Sequence, residues 1–247
     1  MATILVLMTK SATLGLLDGR RHESGFWAEE FVVPYERFRA DGYRVEVATV
    51  GGAVPKADPD SLSAAVVRYT RPAGSSGDPE RDVAHYRTVL DSATELRDPR
   101  DVAGIASDDL GGYAGVYVCG GHGAMDDLPH DPDMCRLMRC ALDSDRPLAS
   151  VCHGQSVLLP LRDHTGRWPL EGCRMTAFSH EEELVTALAG KLPFILQVEL
   201  ERLGARYEKA QEVWGSCVVA DGTLITGQNP HSTAALADTF LSRLAAA

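Results

Sequence analysis

The feature of the sequence that most restricts its possible folds is the segment 147–159, in which Cys152 separates two short apolar runs. Ser150 and Gly154 lie two positions before and after the cysteine, and small residues there let a chain turn sharply from a strand into a helix. Such a turn lifts one side chain into a cleft, near the positive end of the helix, where a thiolate is stabilised. Cys152 is therefore predicted to be a nucleophile, and the neighbouring His153 is a candidate base.

Length and charge limit the class of protein. A chain of 247 residues can form one large α/β domain or two small ones, and we expect a single domain over residues 1–247 because neither a repeat nor an interdomain linker is visible. Within it, residues 51–110 are expected to be partly a surface excursion. The formal net charge of -11 disfavours nucleic acid or an anionic membrane as the main partner, and no apolar run is long enough to span a bilayer.

The beginning of the chain and the cysteines indicate the compartment. The apolar run 3–8 lacks a basic flank and a cleavage site, so it is predicted to be a buried first strand and the protein is expected in the cytoplasm. The cysteines have neither the paired spacing of a zinc site nor the density of a secreted scaffold. Reduced thiols and no metal are expected for all six: Cys119, Cys135, Cys140, Cys152, Cys173 and Cys217.

Short apolar strands alternate with helical patterns along the chain. Strands are predicted at 4–8, 44–50, 115–119, 148–151, 174–177, 216–220 and 223–226, and helices at 27–40, 134–142, 181–189 and 232–244. Ser232 is the predicted cap of the last helix, and Asp221-Gly222 is the predicted turn of a small antiparallel hairpin. This alternation predicts an α/β fold with a mostly parallel sheet sandwiched by helices.

Three predicted strand ends are expected to meet in one cleft, because ligands bind beyond the carboxyl ends of parallel strands. The first carries Cys152, and the second is the glycine-rich segment 120–123. The third is the loop 25–30, which leads into the first helix. A backbone N–H from segment 120–123 and the N–H of His153 could together bind a developing oxyanion.

These motifs, in this order, carry a resemblance to a known family. The chain resembles the ThiJ/PfpI superfamily, whose flavodoxin-like fold is similar to that of class I glutamine amidotransferases. Within it, the chain is most similar to the branch of heat-inducible chaperones and glyoxalase III enzymes. The matching segments run almost from end to end: 25–34, 38–43, 120–123 with Asp127 and Pro129, 151–154, 176–179 and 225–230.

The resemblance implies roles for individual residues. Cys152 matches the nucleophile, His153 its partner, Glu30 the acid that contacts the sulfur, and Gly121 the glycine of the oxyanion hole. A further acid that orients His153 is implied after the strand near Thr176. Glu181, Glu182 and Glu183 are all candidates for it, and counting from Thr176 favours Glu183.

Other residues near the predicted site are expected to affect which substrate binds. Trp27 and His122 are expected to line the substrate pocket, and burial against Trp27 and the thiolate is expected to raise the pKa of Glu30. The chain departs from the family pattern at Gln155, where proline is frequent, and at His180, where a small polar residue or Asp is usual.

The resemblance implies a cofactor-independent cysteine enzyme that acts on a reactive carbonyl compound. The first hypothesis is conversion of a 2-oxoaldehyde such as methylglyoxal to a 2-hydroxy acid through a hemithioacetal on Cys152. The second is an amidase, hydratase or lyase acting on a larger carbonyl or imine compound, and cavity volume separates the two because a three-carbon substrate needs little space. The third is a holdase chaperone or thiol stress sensor. The family usually forms dimers, and residues 194–203 or the final helix could supply the interface.

Overall fold

A mostly parallel sheet forms the centre of the protein. The structure, a computed structural model, describes residues 1–72 and 75–246. Its strands are β1 (Thr3–Leu7), β2 (Thr13–Gly15), β3 (Arg21–Glu23), β4 (Arg44–Thr49), β5 (Arg100–Asp101), β6 (Tyr113–Val118), β7 (Leu148–Val151), β8 (Arg174–Met175), β9 (Arg206–Tyr207), β10 (Val218–Asp221) and β11 (Leu224–Gly227). Seven of them form one sheet in the order β10-β11-β7-β6-β1-β4-β5. Only the β10–β11 pair in that sheet is antiparallel, which confirms the predicted sheet and hairpin.

Helices lie on both faces of this sheet. The α-helices are α1 (Ala28–Ala40), α2 (Ala64–Tyr69), α3 (Pro79–Ser92), α4 (Ala124–Asp127), α5 (Pro132–Asp143), α6 (His180–Glu183), α7 (Leu196–Arg202) and α8 (Thr233–Ala246). Among the described helices, none is both long and apolar enough to cross a bilayer.

The first strand shows why both faces are covered. Ile4 and Val6 pack on the face of α1 and α8, whereas Leu5 and Leu7 pack on the face of α5 and α7. Successive side chains of a strand point to opposite faces, so a strand that is apolar throughout must be buried on both sides. The continuous apolar run of β1 therefore specifies a helix-sheet-helix sandwich.

An aromatic cluster joins the first and last helices to the sheet. The Phe38 ring centroid on α1 lies 5.6 Å from that of Tyr117 on β6 and 5.5 Å from that of Phe240 on α8. All three side chains are fully buried. This cluster fixes α1, and with it Glu30, against the central strands.

The prediction of a helix over 181–189 is wrong beyond its first turn. Helix α6 ends at Glu183, and the Thr186 hydroxyl donates to the Glu183 carbonyl at 2.9 Å and accepts the Leu188 N–H at 3.1 Å. A hydroxyl that bonds nearby backbone groups competes with the helical ladder. Residues 185–188 consequently form turns.

One further prediction differs from the structure. The Ser232 hydroxyl does not serve as the predicted cap: it donates to the Asn229 side chain at 2.9 Å and accepts the Cys217 N–H at 3.1 Å. The segment 51–110, expected to be partly a surface excursion, contains α2 and the buried residues Asp58 and Val67. Its packing follows from the apolar positions of α2.

The aromatic cluster gives a first testable prediction. Phe38→Ala should lower the free energy of unfolding by about 3–5 kcal/mol, because it leaves a cavity between α1, α8 and the sheet. Urea unfolding measures this loss. Leu17→Ala, at a side chain that is 70% exposed, should change it by no more than about 0.5 kcal/mol. Equal losses in the two variants would contradict the assigned role of the cluster.

Candidate active site

The turn after β7 has an unusual backbone. Cys152 has φ of 59°, and among the described residues only Trp214 shares a positive φ without being glycine. The left-handed conformation costs a residue with a side chain roughly 1–2 kcal/mol. The segment that follows, Cys152–Leu158, is a buried 3-10 helix instead of the α-helix that such a turn usually begins. The predicted sharp turn from strand to helix, the nucleophile elbow, is present, but the helix that follows it is more tightly wound than expected.

This turn brings two neighbouring side chains together. The Cys152 sulfur lies 3.3 Å from Nδ1 of His153, although adjacent side chains usually diverge. On the other side of the ring, Nε2 of His153 lies 2.9 Å from Oε2 of Glu183. A carboxylate accepts and does not donate, so it fixes the imidazole proton on Nε2. The free Nδ1 then faces the thiol and can accept its proton.

One carboxylate holds two histidines. Oε1 of Glu183 lies 2.8 Å from Nε2 of His122, and the two imidazole ring centroids are 4.0 Å apart. Burial and, to a smaller extent, the neighbouring His122 lower the pKa of His153 to about 4, although Glu183 acts in the other direction. Burial also acts against protonation of His122, but Glu183 outweighs it and raises the pKa of His122. At neutral pH, His153 is therefore the neutral base of the pair.

Glu30 lies on the opposite side of the sulfur, in the first turn of α1. Its side chain is fully buried, and neither carboxyl oxygen finds a hydrogen-bond partner of good geometry among the described residues, although the carboxyl contacts the Cys152 sulfur. Burial raises the pKa of Glu30 to about 8, and Glu29 adds to the increase. The carboxyl is consequently protonated at neutral pH. The expected rise is present, but contact with Cys152 lowers this pKa instead of raising it.

The sulfur itself is less acidic than the sequence led us to expect. Burial raises the pKa of the Cys152 thiol well above its ordinary value, and Glu30, which contacts the sulfur, raises it further. The backbone N–H groups of Gly121 and His153 act in the other direction. The predicted stabilisation of a thiolate by backbone groups at the start of this helix is thus present, but burial and Glu30 outweigh it in the resting site.

The backbone N–H groups of Gly121 and His153 both contact the Cys152 sulfur, and their role as an oxyanion hole stays a prediction. Gly121 has φ of 101°, and a Cβ there would lie 2.5 Å from the Gly25 carbonyl oxygen. A Cβ on Gly120 would lie 2.6 Å from Oε2 of Glu30. The Trp27 N–H also donates to the Gly120 carbonyl at 3.1 Å. Glycine at both positions thus lets the loop 120–123 pack against the loop 25–30, as predicted.

The two departures from the family pattern have different surroundings. Nε2 of Gln155 lies within 3.2 Å of the carbonyl oxygens of Ser150, Thr176 and Gly227, so this buried amide links three strand ends beneath the turn. Proline could not make these contacts. His180 donates its backbone N–H to Gln197 and is absent from the described lining of the cavity.

Sequence reasoning missed the part played by Glu182. Its buried carboxylate accepts hydrogen bonds from the Ser179 N–H and hydroxyl, the Trp214 N–H, and the side chains of Gln228 and Asn229. The Ser179–Glu182 spacing is a capping box, a signal that was available in the sequence. Glu182 thus fixes the short helix that carries Glu183. Glu181 instead lies on the surface, 2.6 Å from Lys209.

The sulfur lies at one end of a cavity of about 370 Å³. Trp27 and His122 line it, as predicted, and so do Phe178, Trp214 and Asp58, which were not predicted to do so. The complete described lining consists of His22, Trp27, Asp58, Asp60, Ala65, Val66, Tyr69, Thr70, Gly121, His122, Cys152, His153, Phe178, Val185, Thr186, Ala187, Leu188, Trp214 and Pro230. The cavity is larger than a three-carbon substrate needs.

The same cluster contains possible metal ligands. Ligand atoms of His122, His153 and Glu183 all lie within 4.8 Å of one another. Imidazole nitrogens and a carboxylate suit Zn²⁺, yet in the structure each of these atoms faces a hydrogen-bond partner within the cluster. The expectation of no metal stays a prediction.

The raised pKa of Glu30 predicts how stability depends on pH. Between its ordinary value of 4.5 and about 8, the folded protein keeps a proton that the unfolded chain has released. The free energy of unfolding therefore falls as pH rises, by up to about 1.4 kcal/mol per pH unit from this group. Glu30→Gln should flatten the dependence between about pH 5 and 8, as measured by urea unfolding. Glu36→Gln, at an exposed position of α1, is the control, and parallel curves for wild type and Glu30→Gln would contradict the prediction.

The Glu182 contacts predict a large structural effect. Glu182→Gln places an amide against donors that need acceptors, so the free energy of unfolding should fall by about 3 kcal/mol or more. Urea unfolding tests this value. Glu181→Gln removes only a surface pair and should cost less than about 1 kcal/mol. Similar losses of unfolding free energy in both variants would show that the Glu182 carboxylate does not hold the neighbouring segments together.

Comparison with known proteins places these observations in a family. The chain is 28% identical over 241 residues to the glutathione-independent glyoxalase hsp3101 of Schizosaccharomyces pombe, which covers 94% of this chain and 93% of that protein. It is 26% identical over 239 residues to the protein/nucleic acid deglycase HchA of Escherichia coli O157:H7, covering 94% and 77%. The crystal structure of glyoxalase III from Candida albicans superposes with a TM-score of 0.78 at 21% identity, covering 98% and 97%. The profile of the DJ-1/PfpI family matches residues 22–243, and the chain belongs to this family.

Proposed function

We propose that this protein is a glutathione-independent glyoxalase, which converts a 2-oxoaldehyde to a 2-hydroxy acid with no cofactor. The observation that carries the proposal is the surroundings of the Cys152 sulfur. It has the neutral His153 Nδ1 at 3.3 Å on one side and the protonated Glu30 carboxyl on the other. A nucleophile between a base and an acid suits a reaction that moves protons on a carbonyl compound.

In the first step, His153 takes the thiol proton and the sulfur attacks the aldehyde carbon. Glu183 stabilises the imidazolium that forms, because its own pKa is lowered far below the ordinary value by the two histidines despite its burial. The hemithioacetal oxyanion would accept hydrogen bonds from the N–H groups of Gly121 and His153. Formation of an ion pair inside the site offsets the raised pKa of the thiol.

In the second step, a proton moves from the former aldehyde carbon to the neighbouring carbonyl carbon through an enediol. Glu30 and His153 are the groups that can carry it, since their pKa values of about 8 and about 4 place one as acid and the other as base at neutral pH. Water then hydrolyses the thioester, the carbon–sulfur bond breaks, and a 2-hydroxy acid leaves. Oxidation of one carbon balances reduction of the other.

The family relatives support this assignment. The relatives from Schizosaccharomyces pombe and Candida albicans are both named as glyoxalases. The names support a small carbonyl substrate, and the geometry around Cys152 supplies the groups that such a reaction requires.

A second candidate function uses the same nucleophile on a larger carbonyl or imine compound, as an amidase, hydratase or lyase. One observation favours it, namely the cavity of about 370 Å³. Pockets of about 300–1,000 Å³ hold drug-sized ligands.

We further propose that the protein works as a homodimer in the cytoplasm. Six free cysteines suit a reducing compartment. On α7, Leu196 and Leu200 pack inward, while Val198 is 43% exposed and available to a partner.

The decisive experiment measures lactate formed from methylglyoxal without glutathione, in the presence of EDTA. Cys152→Ala should lower kcat/KM by at least ~1,000-fold and Glu183→Gln by roughly 100-fold, because each removes part of one catalytic unit. Cys173→Ala, at a cysteine outside the cavity, serves as the matched control and should keep wild-type activity. Undiminished turnover by Cys152→Ala would overturn the proposal. So would absence of a 2-hydroxy acid product when wild type is given either methylglyoxal or phenylglyoxal.

A further inference from the structure

The cavity is built in two chemically different parts. Near the sulfur lie the polar groups, namely His122, His153 and the backbone of Gly121. The Phe178 ring centroid lies 4.5 Å from that of His153, and the Trp214 centroid follows at 5.6 Å from Phe178. An aromatic wall therefore begins directly beside the reacting atom.

The wall continues outward to the mouth of the cavity. The Tyr69 hydroxyl donates to the Val185 carbonyl at 3.2 Å, which joins α2 to the turns after α6. Tyr69 is 60% exposed, so this contact lies at the solvent end. Val66 and Leu188, from the same two segments, line the space between. A bound molecule that fills the cavity would thus extend from a polar end to an apolar wall.

The charged residues that line the cavity also restrict which substrates can bind. Its described part contains Asp58 and Asp60 but neither lysine nor arginine. Asp58 is buried and accepts hydrogen bonds from the Ser24 hydroxyl at 2.8 Å and the Asp60 N–H at 3.0 Å. A carboxylate or phosphate on the substrate would find no cationic side chain along this wall other than histidine. Anionic compounds are therefore disfavoured.

We propose that the preferred substrate is a neutral 2-oxoaldehyde whose ketone carbon carries an aromatic or branched apolar group, and that methylglyoxal is a poor substrate. The inference rests on the proposed function and specifies its substrate class. The aldehyde lies at Cys152, and the apolar group packs along Phe178 and Trp214. Methylglyoxal leaves most of the cavity unfilled, and this forfeits binding that each additional apolar carbon would add.

The reaction is the same for the larger substrate. The sulfur bonds to the aldehyde carbon, the hydrogen of that carbon moves to the ketone carbon as a proton, and water cleaves the thioester. Phenylglyoxal would therefore yield mandelate, with no external oxidant or reductant.

Initial rates with phenylglyoxal and methylglyoxal test the proposal. Wild type should show at least a tenfold higher kcat/KM for phenylglyoxal, with mandelate as the product. Because phenylglyoxal also reacts with arginine side chains, the rate of Cys152→Ala is subtracted as a blank. Equal or lower kcat/KM for phenylglyoxal, with methylglyoxal still turned over, would overturn the substrate class but keep the glyoxalase. Turnover of neither compound would overturn both.

A variant separates the cavity from the intrinsic reactivity of the two aldehydes. Ala65→Phe adds a ring on α2, the helix that carries Tyr69 at the solvent end of the cavity, so it should lower the phenylglyoxal to methylglyoxal ratio of kcat/KM by at least tenfold. Val54→Phe adds the same ring at an exposed position outside the cavity and should keep the wild-type ratio. An unchanged ratio in folded Ala65→Phe would show that the wall does not select the substrate.

A negatively charged analogue of phenylglyoxal tests whether the cavity disfavours anionic substrates. With wild type, 4-carboxyphenylglyoxal should have a kcat/KM at least tenfold below that of phenylglyoxal, because the described lining offers its carboxylate no lysine or arginine. Equal values would overturn the requirement for a neutral substrate.

Discussion

The left-handed backbone at Cys152 is the constraint on which the site depends. With a φ of 59°, the chain turns so tightly that the sulfur and the ring of the next residue meet at 3.3 Å. Neighbouring elements hold this conformation: β6 and β11 pair with β7 on either side, and the amide of Gln155 ties the strand ends together. Strain of this kind persists where the surroundings over-determine it.

Three buried glutamates around this turn have different tasks because their surroundings differ. Among the described residues, Glu30 has neither a neighbouring cation nor a well-aligned donor, so burial keeps it protonated at neutral pH. Glu183 lies against two imidazoles and stays ionised. Glu182 is surrounded by donors and holds neighbouring segments in place. The surroundings of each side chain therefore decide its role: Glu30 is the acid, Glu183 orients the histidines, and Glu182 holds the structure together.

Much of this arrangement could be predicted from local patterns. Apolar strands such as β1, the hairpin turn and the small residues around Cys152 specify the sheet and the elbow, and the family resemblance indicated Glu30 and Glu183. The length of α6 was not predicted correctly, because the Thr186 side chain competes with the helical backbone hydrogen bonds. The acidity of the Cys152 thiol was not predicted correctly either, because its pKa depends on burial and on a carboxyl group from a distant helix. Such effects depend on distances that no local pattern contains.

The position of β7 also affects how the protein is made. This strand pairs with β6 on one side and with β11, Leu224–Gly227, on the other. A chain still attached to the ribosome, with β11 inside the exit tunnel, has an unfinished sheet beneath Cys152. Gln155 then lacks one of its three carbonyl contacts. The newly made thiol therefore lacks its folded surroundings until β11 has left the tunnel, so the reactive site is assembled well after Cys152 itself has been added to the chain.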